Sequence, residues 1–172
     1  MKQFLTAVLL LSAPAAATAQ EGPAPCTASA PASLPANLSG WAHPVAVTAA
    51  RDTAGAGRVT LLPGRGAAVT LSPTPRVDYP VRPEHPGGTV SRGGVLSFDV
   101  TSPGDYRIAS SSSAWIEVAR GGKTIPSTAH GHGPACSGIM KMVDFKLVLG
   151  RYLLEVAGNG QPTISLMVVR MP

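Results

Sequence analysis

Long apolar runs are missing from this chain of 172 residues beyond its first segment, and so are clusters of positive charge. Each absence excludes something. A membrane-spanning helix needs about 18 or more consecutive apolar residues, and after the N-terminus the best stretch, Ile164 to Val169, is only a strand long. The ten arginines, at 51, 58, 65, 76, 82, 92, 107, 120, 151 and 170, are scattered rather than gathered among aromatics. This argues against a nucleic-acid face. An anionic surface or glycan remains compatible with the positive balance. The serine tract Ser110–Ser113 lacks the Gly-x-Ser-x-Gly setting of a nucleophile elbow and reads as a connection.

What is present first is an export signal. In MKQFLTAVLLLSAPAAATAQ, Lys2 supplies the positive start, Phe4 to Leu11 the short apolar run, and Ala17-Thr18-Ala19 the small-x-small end. The expectation is a signal peptide over 1–19, cleaved after Ala19. No twin arginine precedes the run and no cysteine stands at the cleavage point, which argues against folded export and a lipid anchor. A periplasmic or secreted protein of about 153 residues is expected, a size that suits one domain. Loss of Lys2 takes the formal charge from +5 to +4.

There are two cysteines, Cys26 and Cys136. In an oxidising compartment an even count predicts one disulfide, Cys26–Cys136. It would tie the Ala/Pro-rich segment 20–44 to a β-domain spanning 45–172. Within that segment, SLPANLSGW could make one helical turn, Pro35 opening it and Gly40 stopping it. No long helix is expected.

From Val45 the chain reads as short strands: VAVTA (45–49), RVTLL (58–62), AAVTLS (67–72), GVLSFDV (94–100), SPGDYRIA (102–109), AWIEVAR (114–120), VDFKLVLGRYLLEV (143–156) and PTISLMVVR (162–170). Alternation such as Leu96, Phe98 and Val100 against Ser97 and Asp99 is the mark of half-buried antiparallel strands. Residues 73–93 carry five prolines and cannot be a central strand. They are expected to run over the surface with Val77, Tyr79 and Val81 pointing one way. Eight or nine strands with frequent turns predict an all-β, antiparallel sandwich or jelly roll with almost no helix.

A pattern recurs within this half. Phe98, Gly104 and Tyr106 are matched by Phe145, Gly150 and Tyr152. Glycine suits the tight turn, and a tyrosine beyond it can cap the corner with its hydroxyl. Two hairpins facing one another across the sandwich are expected.

The densest chemistry is in TAHGHGPACSG (128–138). His130 and His132 would share one face of a strand, and copper or zinc accepts such a pair. His85, Glu84 or His43 could complete a set, since a catalytic zinc keeps three protein ligands and a structural one four. The glycines at 131, 133 and 138, with Pro134, equally suit an irregular crossing anchored by the disulfide. Trp41 and Trp115 are read as core residues first and as ligand platforms second. Asp99, Asp105, Glu117, Asp144 and Glu155 are read as mostly outward and solvated.

Two resemblances bear on function. FKLVLGRYLLEVAGNGQPTISLMVV (145–169) resembles the closing hairpin of β-sandwich domains at the ends of secreted bacterial peptidases. That implies a noncatalytic accessory module, linked in such proteins to adhesion or secretion. WIEVARGGKTIPSTAHGHGPACSGIMKMVDFKL (115–147), with YPVRPEHPGG (79–88), is similar to small exported bacterial proteins, some labelled homogentisate 1,2-dioxygenase. A dioxygenase of that kind uses His-x-His and a glutamate soon after. Here Pro134, Ala135 and Cys136 follow His132, and no acid comes before Asp144, so no catalytic residue is carried over. The expectation is a noncatalytic periplasmic protein that binds a protein, a glycan or an envelope component. A copper- or zinc-binding protein is the alternative, and a metal-dependent enzyme the third reading.

Overall fold

The computed structural model describes Cys26 and residues 34–172. The expected signal peptide and its cleavage point lie outside the described residues. Among the described residues there are twelve strands in two sheets. The first sheet joins β1 (Val45–Thr48), β3 (Gly66–Thr70), β12 (Thr163–Arg170), β6 (Gly104–Ser110), β10 (Lys141–Leu147) and β9 (Ser127–Gly131), in that order. The second joins β2 (Thr60–Leu61), β5 (Arg92–Val100), β11 (Gly150–Asn159), β7 (Trp115–Arg120) and β8 (Lys123–Ile125), with β4 (Ser72–Pro73) also paired to β5.

The sandwich expected from the alternation is therefore present. Two edge pairings depart from the antiparallel rule, since β1 runs parallel to β3 and β2 parallel to β5. Helix is short. It comprises the four-residue α1 (Thr53–Ala56), capped by the Asp52 carboxylate accepting from Gly55 N–H at 2.6 Å, and 3-10 turns at Ala36–Ala42 and Thr74–Arg76.

The repeated pattern does not make hairpins. β5 lies in the second sheet and β6 in the first, while β10 lies in the first and β11 in the second. Each unit is an arch that crosses the sandwich, and the two arches pair with each other. Tyr152 stands opposite Phe98 in one sheet, and Phe145 opposite Tyr106 in the other. β11 and β12 likewise cross from one sheet to the other instead of closing as a hairpin. At each arch the tyrosine hydroxyl donates to a carbonyl four residues back, Tyr106 to Ser102 and Tyr152 to Val148, both at 2.9 Å. The corner needs glycine before it, because Gly104 and Gly150 take φ of 154° and 140°.

The inward residues of the two sheets form the main core, with Leu96, Phe98, Ile108, Phe145, Leu154, Leu166 and Val168 fully buried. Burying such a side chain contributes about 1.5–3 kcal/mol. Both outer faces are also partly covered. On the first sheet, Ala109, Met167 and Val169 pack under Leu38, Trp41 and Ile139, in a second apolar cluster. On the second sheet the proline-rich segment Val77–Gly88 lies across β11 and β7.

The segment 121–141, which carries the glycine-rich loop, is not one long connection. Instead it holds β8 and β9, the first antiparallel to β7 and the second to β10. Pro126 separates them, which interrupts the pairing and turns the chain from one sheet to the other.

Candidate binding cleft around Trp115

Cys26 and Cys136 form the expected disulfide, 110 positions apart in sequence. Ser137 Oγ donates to Pro134 O at 2.6 Å, and Trp41 Nε1 donates to Ser137 O at 2.9 Å. Ile139 then fills the outer cluster. The loop is a disulfide-anchored cover over the first sheet, and Cys136 has no free thiol to offer a metal.

The histidines part company at this point. β9 ends at Gly131, and the Gly133–Pro134 turn folds His132 back so that its Nδ1 meets Met140 O at 2.8 Å. His130 stays on β9 opposite Val143, whose side chain enters the core, and so faces the gap between the sheets. His85 rides on the proline-rich strap with its ring against Trp115, centroids 4.4 Å apart and planes at 72°. His43 follows the first 3-10 turn and is exposed. Glu84 lies 3.9 Å from His85 Nε2, both well exposed, a contact of little energetic weight. Among the described residues no three His, Cys, Asp or Glu side chains converge as a metal-holding group.

What the fold does assemble is centred on Trp115. Three depressions meet there, of about 290, 280 and 460 Å³. The first opens between the sheets and is bordered by Glu84, Glu117, Thr124 and Ser127, with Phe145 at its floor. The second is bordered by Ser127, His130 and Lys141. The third lies beside His85 and Gly158.

Lys141 bridges the two sheets across this mouth. Its Nζ donates to Ala114 O at 3.0 Å and sits 5.2 Å from the centre of the Trp115 ring, close enough for a cation–π attraction. Burial depresses the Lys141 ammonium below the usual lysine range. Among the described residues no carboxylate lies within salt-bridge distance of it.

On the outer face of the second sheet, Trp115 and Glu117 are two apart on β7, and Glu155 on β11 stands directly opposite Glu117. Alternation points all three away from the core. Glu155 was expected to be solvated; it is 1% exposed. The cause is tertiary, because the strap covers it. Val81 N–H donates to Glu155 Oε1 at 3.1 Å, and the Tyr79 hydroxyl donates to Val156 O at 2.9 Å. A Cβ at Gly93 would collide with that hydroxyl, so glycine there admits Tyr79 to the sheet. Burial pushes the Glu155 carboxyl up to about 7, and the Glu117 charge adds to this against the Val81 bond. Burial also pushes the Tyr79 phenol up to about 12.

Three buried side-chain atoms have no hydrogen-bond partner among the described residues: Trp115 Nε1, Glu117 Oε2 and Glu155 Oε2. All three belong to this patch. Each such atom costs about 1–3 kcal/mol. Native folds keep few of these, and a local concentration of them calls for a functional account.

The sequence singled out His85 and His130 as metal-ligand candidates and Trp115 as a core residue first, and it did not bring Lys141, Glu117 and Glu155 together with them. A signal existed for Glu155. It interrupts the apolar run of YLLEVAG, where an acid on a strand needs either water or a partner.

No family model matches the chain, and no curated protein does so either.

Proposed function

We propose that this chain is an exported, noncatalytic β-sandwich protein of the cell envelope that holds an anion-bearing glycan in the cleft around Trp115. The observation that carries the reading is Lys141. It is a partly desolvated cation at the mouth of the sandwich, on an aromatic ring, beside His130 and Ser127 and without a carboxylate partner among the described residues. An incoming carboxylate would meet a positive group that is only weakly hydrated, which makes the contact stronger than at an open surface. Glu117, Thr124 and Ser127 border the adjoining depression and suit the hydroxyl groups of a sugar. A few polar groups around one aromatic side chain are the usual make-up of a small-ligand cleft. The disulfide and the N-terminal sequence support an oxidising, extracytoplasmic setting.

The test is a calorimetric titration of the mature protein with an oligogalacturonate and with its methyl-esterified counterpart. The acid form is expected to bind at least about tenfold more tightly than the neutral ester at low salt. Lys141→Met should erase that difference, and Trp115→Ala should weaken both. Equal binding of the two forms, or no binding of either at millimolar concentration, would overturn the reading.

A further inference from the structure

We infer that the proline-rich strap Val77–Gly88 is a proton-operated lid, closed over Trp115, Glu117 and Glu155 while the Glu155 carboxyl holds a proton and opened when it is charged. The strap belongs to a loop whose ends are tied together. Thr74 N–H donates to Ser91 O at 2.9 Å, and the two side-chain oxygens of these residues are also 2.9 Å apart. A compact surface loop with joined ends can move as a unit.

The fastening along its length is sparse. Asp78 N–H reaches Arg51 O at 2.7 Å. From Tyr79 to Gly87 no backbone-to-backbone hydrogen bond holds the strap among the described residues. Its attachments are the Tyr79 hydroxyl on Val156 O, the Val81 N–H on Glu155 and the His85 ring on Trp115. A segment held in this way opens at far less cost than the sheets beneath it.

The polar groups under the strap decide when it opens. Glu155 faces Glu117 from β7, Val95 from β5 and Tyr79 from the strap. No lysine, arginine or histidine pairs with either glutamate among the described residues. On the strap itself Asp78, Arg82, Glu84 and His85 are exposed. Two like charges opposite each other on one sheet face repel, and closing the strap removes the water that would screen them. One proton on Glu155 removes its charge from this face and turns an unpartnered acceptor into a donor. Raising the pH withdraws that proton, and lifting the strap lets water reach both carboxylates and the Trp115 N–H.

The strap also carries Glu84 and His85 into the cleft walls, so opening would reshape the cleft. That consequence rests on the glycan reading; the latch does not.

The experiment is amide hydrogen exchange at Val81 at pH 5.5 and pH 8.5, corrected for the intrinsic rate and without any ligand. The opening equilibrium is expected to rise by about tenfold or more at the higher pH, while core amides such as Leu96 and Leu154 keep their protection. Glu155→Gln, which retains an acceptor for Val81 N–H, should abolish the pH dependence. Glu117→Gln should reduce it, and carries the test if the first variant does not fold. Equal opening at both pH values in the native protein, or native pH dependence in the variants, would overturn the proposal. Because no ligand is used, that failure would leave the glycan reading standing.

Discussion

Tyr152 lies opposite Phe98 in the second sheet, with the two rings stacked 5.7 Å apart at 20°. Their counterparts, Phe145 and Tyr106, are opposite one another in the first sheet. The repeat thus staples the sandwich twice, each arch supplying the tyrosine for the phenylalanine of the other. Offset aromatic pairs of this kind add about 0.5–1.5 kcal/mol beyond their buried area.

The two corners should differ in stability when altered. The Tyr152 hydroxyl donates to Val148 O, accepts from Val148 N–H at 3.1 Å, and accepts from Arg120 Nη1 at 3.3 Å. The Tyr106 hydroxyl donates to Ser102 O. Tyr152→Phe is expected to cost about 2 kcal/mol and Tyr106→Phe about 1 kcal/mol, on the usual worth of a hydrogen bond. Urea unfolding should show this as lowered midpoints with unchanged slopes. Equal losses would mean that the contacts of Tyr152 to Val148 N–H and Arg120 add nothing.

Glu155 sets a pH dependence whose sign can be worked out. Its folded pKa, about 7, lies above its ordinary value of 4.5. Between these values the folded protein holds a proton that the unfolded chain has released. Its contribution is therefore fully present below about 4.5 and is lost as pH rises through 7. The loss amounts to about 3–4 kcal/mol at the usual conversion of about 1.4 kcal/mol per pKa unit. Thermal unfolding should give a Tm that falls from pH 5 to pH 8.5. In Glu155→Gln this fall should be largely gone, with the variant outperforming the native chain at pH 8.5. A native Tm that rises over that range would contradict the burial account.

The disulfide makes a third test. A closed loop of this length, its cysteines 110 positions apart, is worth about 4–5 kcal/mol in the chain-entropy model, and measured bridges typically give about 2–4. A Cys26→Ser, Cys136→Ser double variant is expected to lose about 2–4 kcal/mol by chemical denaturation. Because Ser137 and Ile139 are held next to Cys136, Trp41 should also become more accessible to an added fluorescence quencher. Unchanged stability would mean that Leu38, Trp41 and Ile139 hold their cover without the tether.

Much of the architecture was legible in local pattern. Leu96-x-Phe98-x-Val100 and Ile164-x-Leu166-x-Val168 alternate, and the structure buries those residues in one core. The tyrosine corners were also readable, because glycine, one intervening residue and then tyrosine describe a local turn. The arches were not. The same alternation suits a strand that pairs with its neighbour and one that crosses to the other sheet, since either buries the same face. The number of strands was underestimated for a related reason. β8 and β9 are short, exposed edge strands, and their residues carry no apolar alternation.

Sequence by itself determined the all-β class, the disulfide partners and the corner residues. Each depends on a short-range rule: a period of two, an even cysteine count, or a turn that only glycine makes easily. Tertiary structure alone decided that Lys141 meets Trp115 across the sandwich mouth, that His130 and His132 diverge, and that Glu155 is buried. An outward position on a strand is solvated only if nothing lies over it. Here a strap more than sixty residues away in sequence covers Glu155, and no local pattern records such a contact.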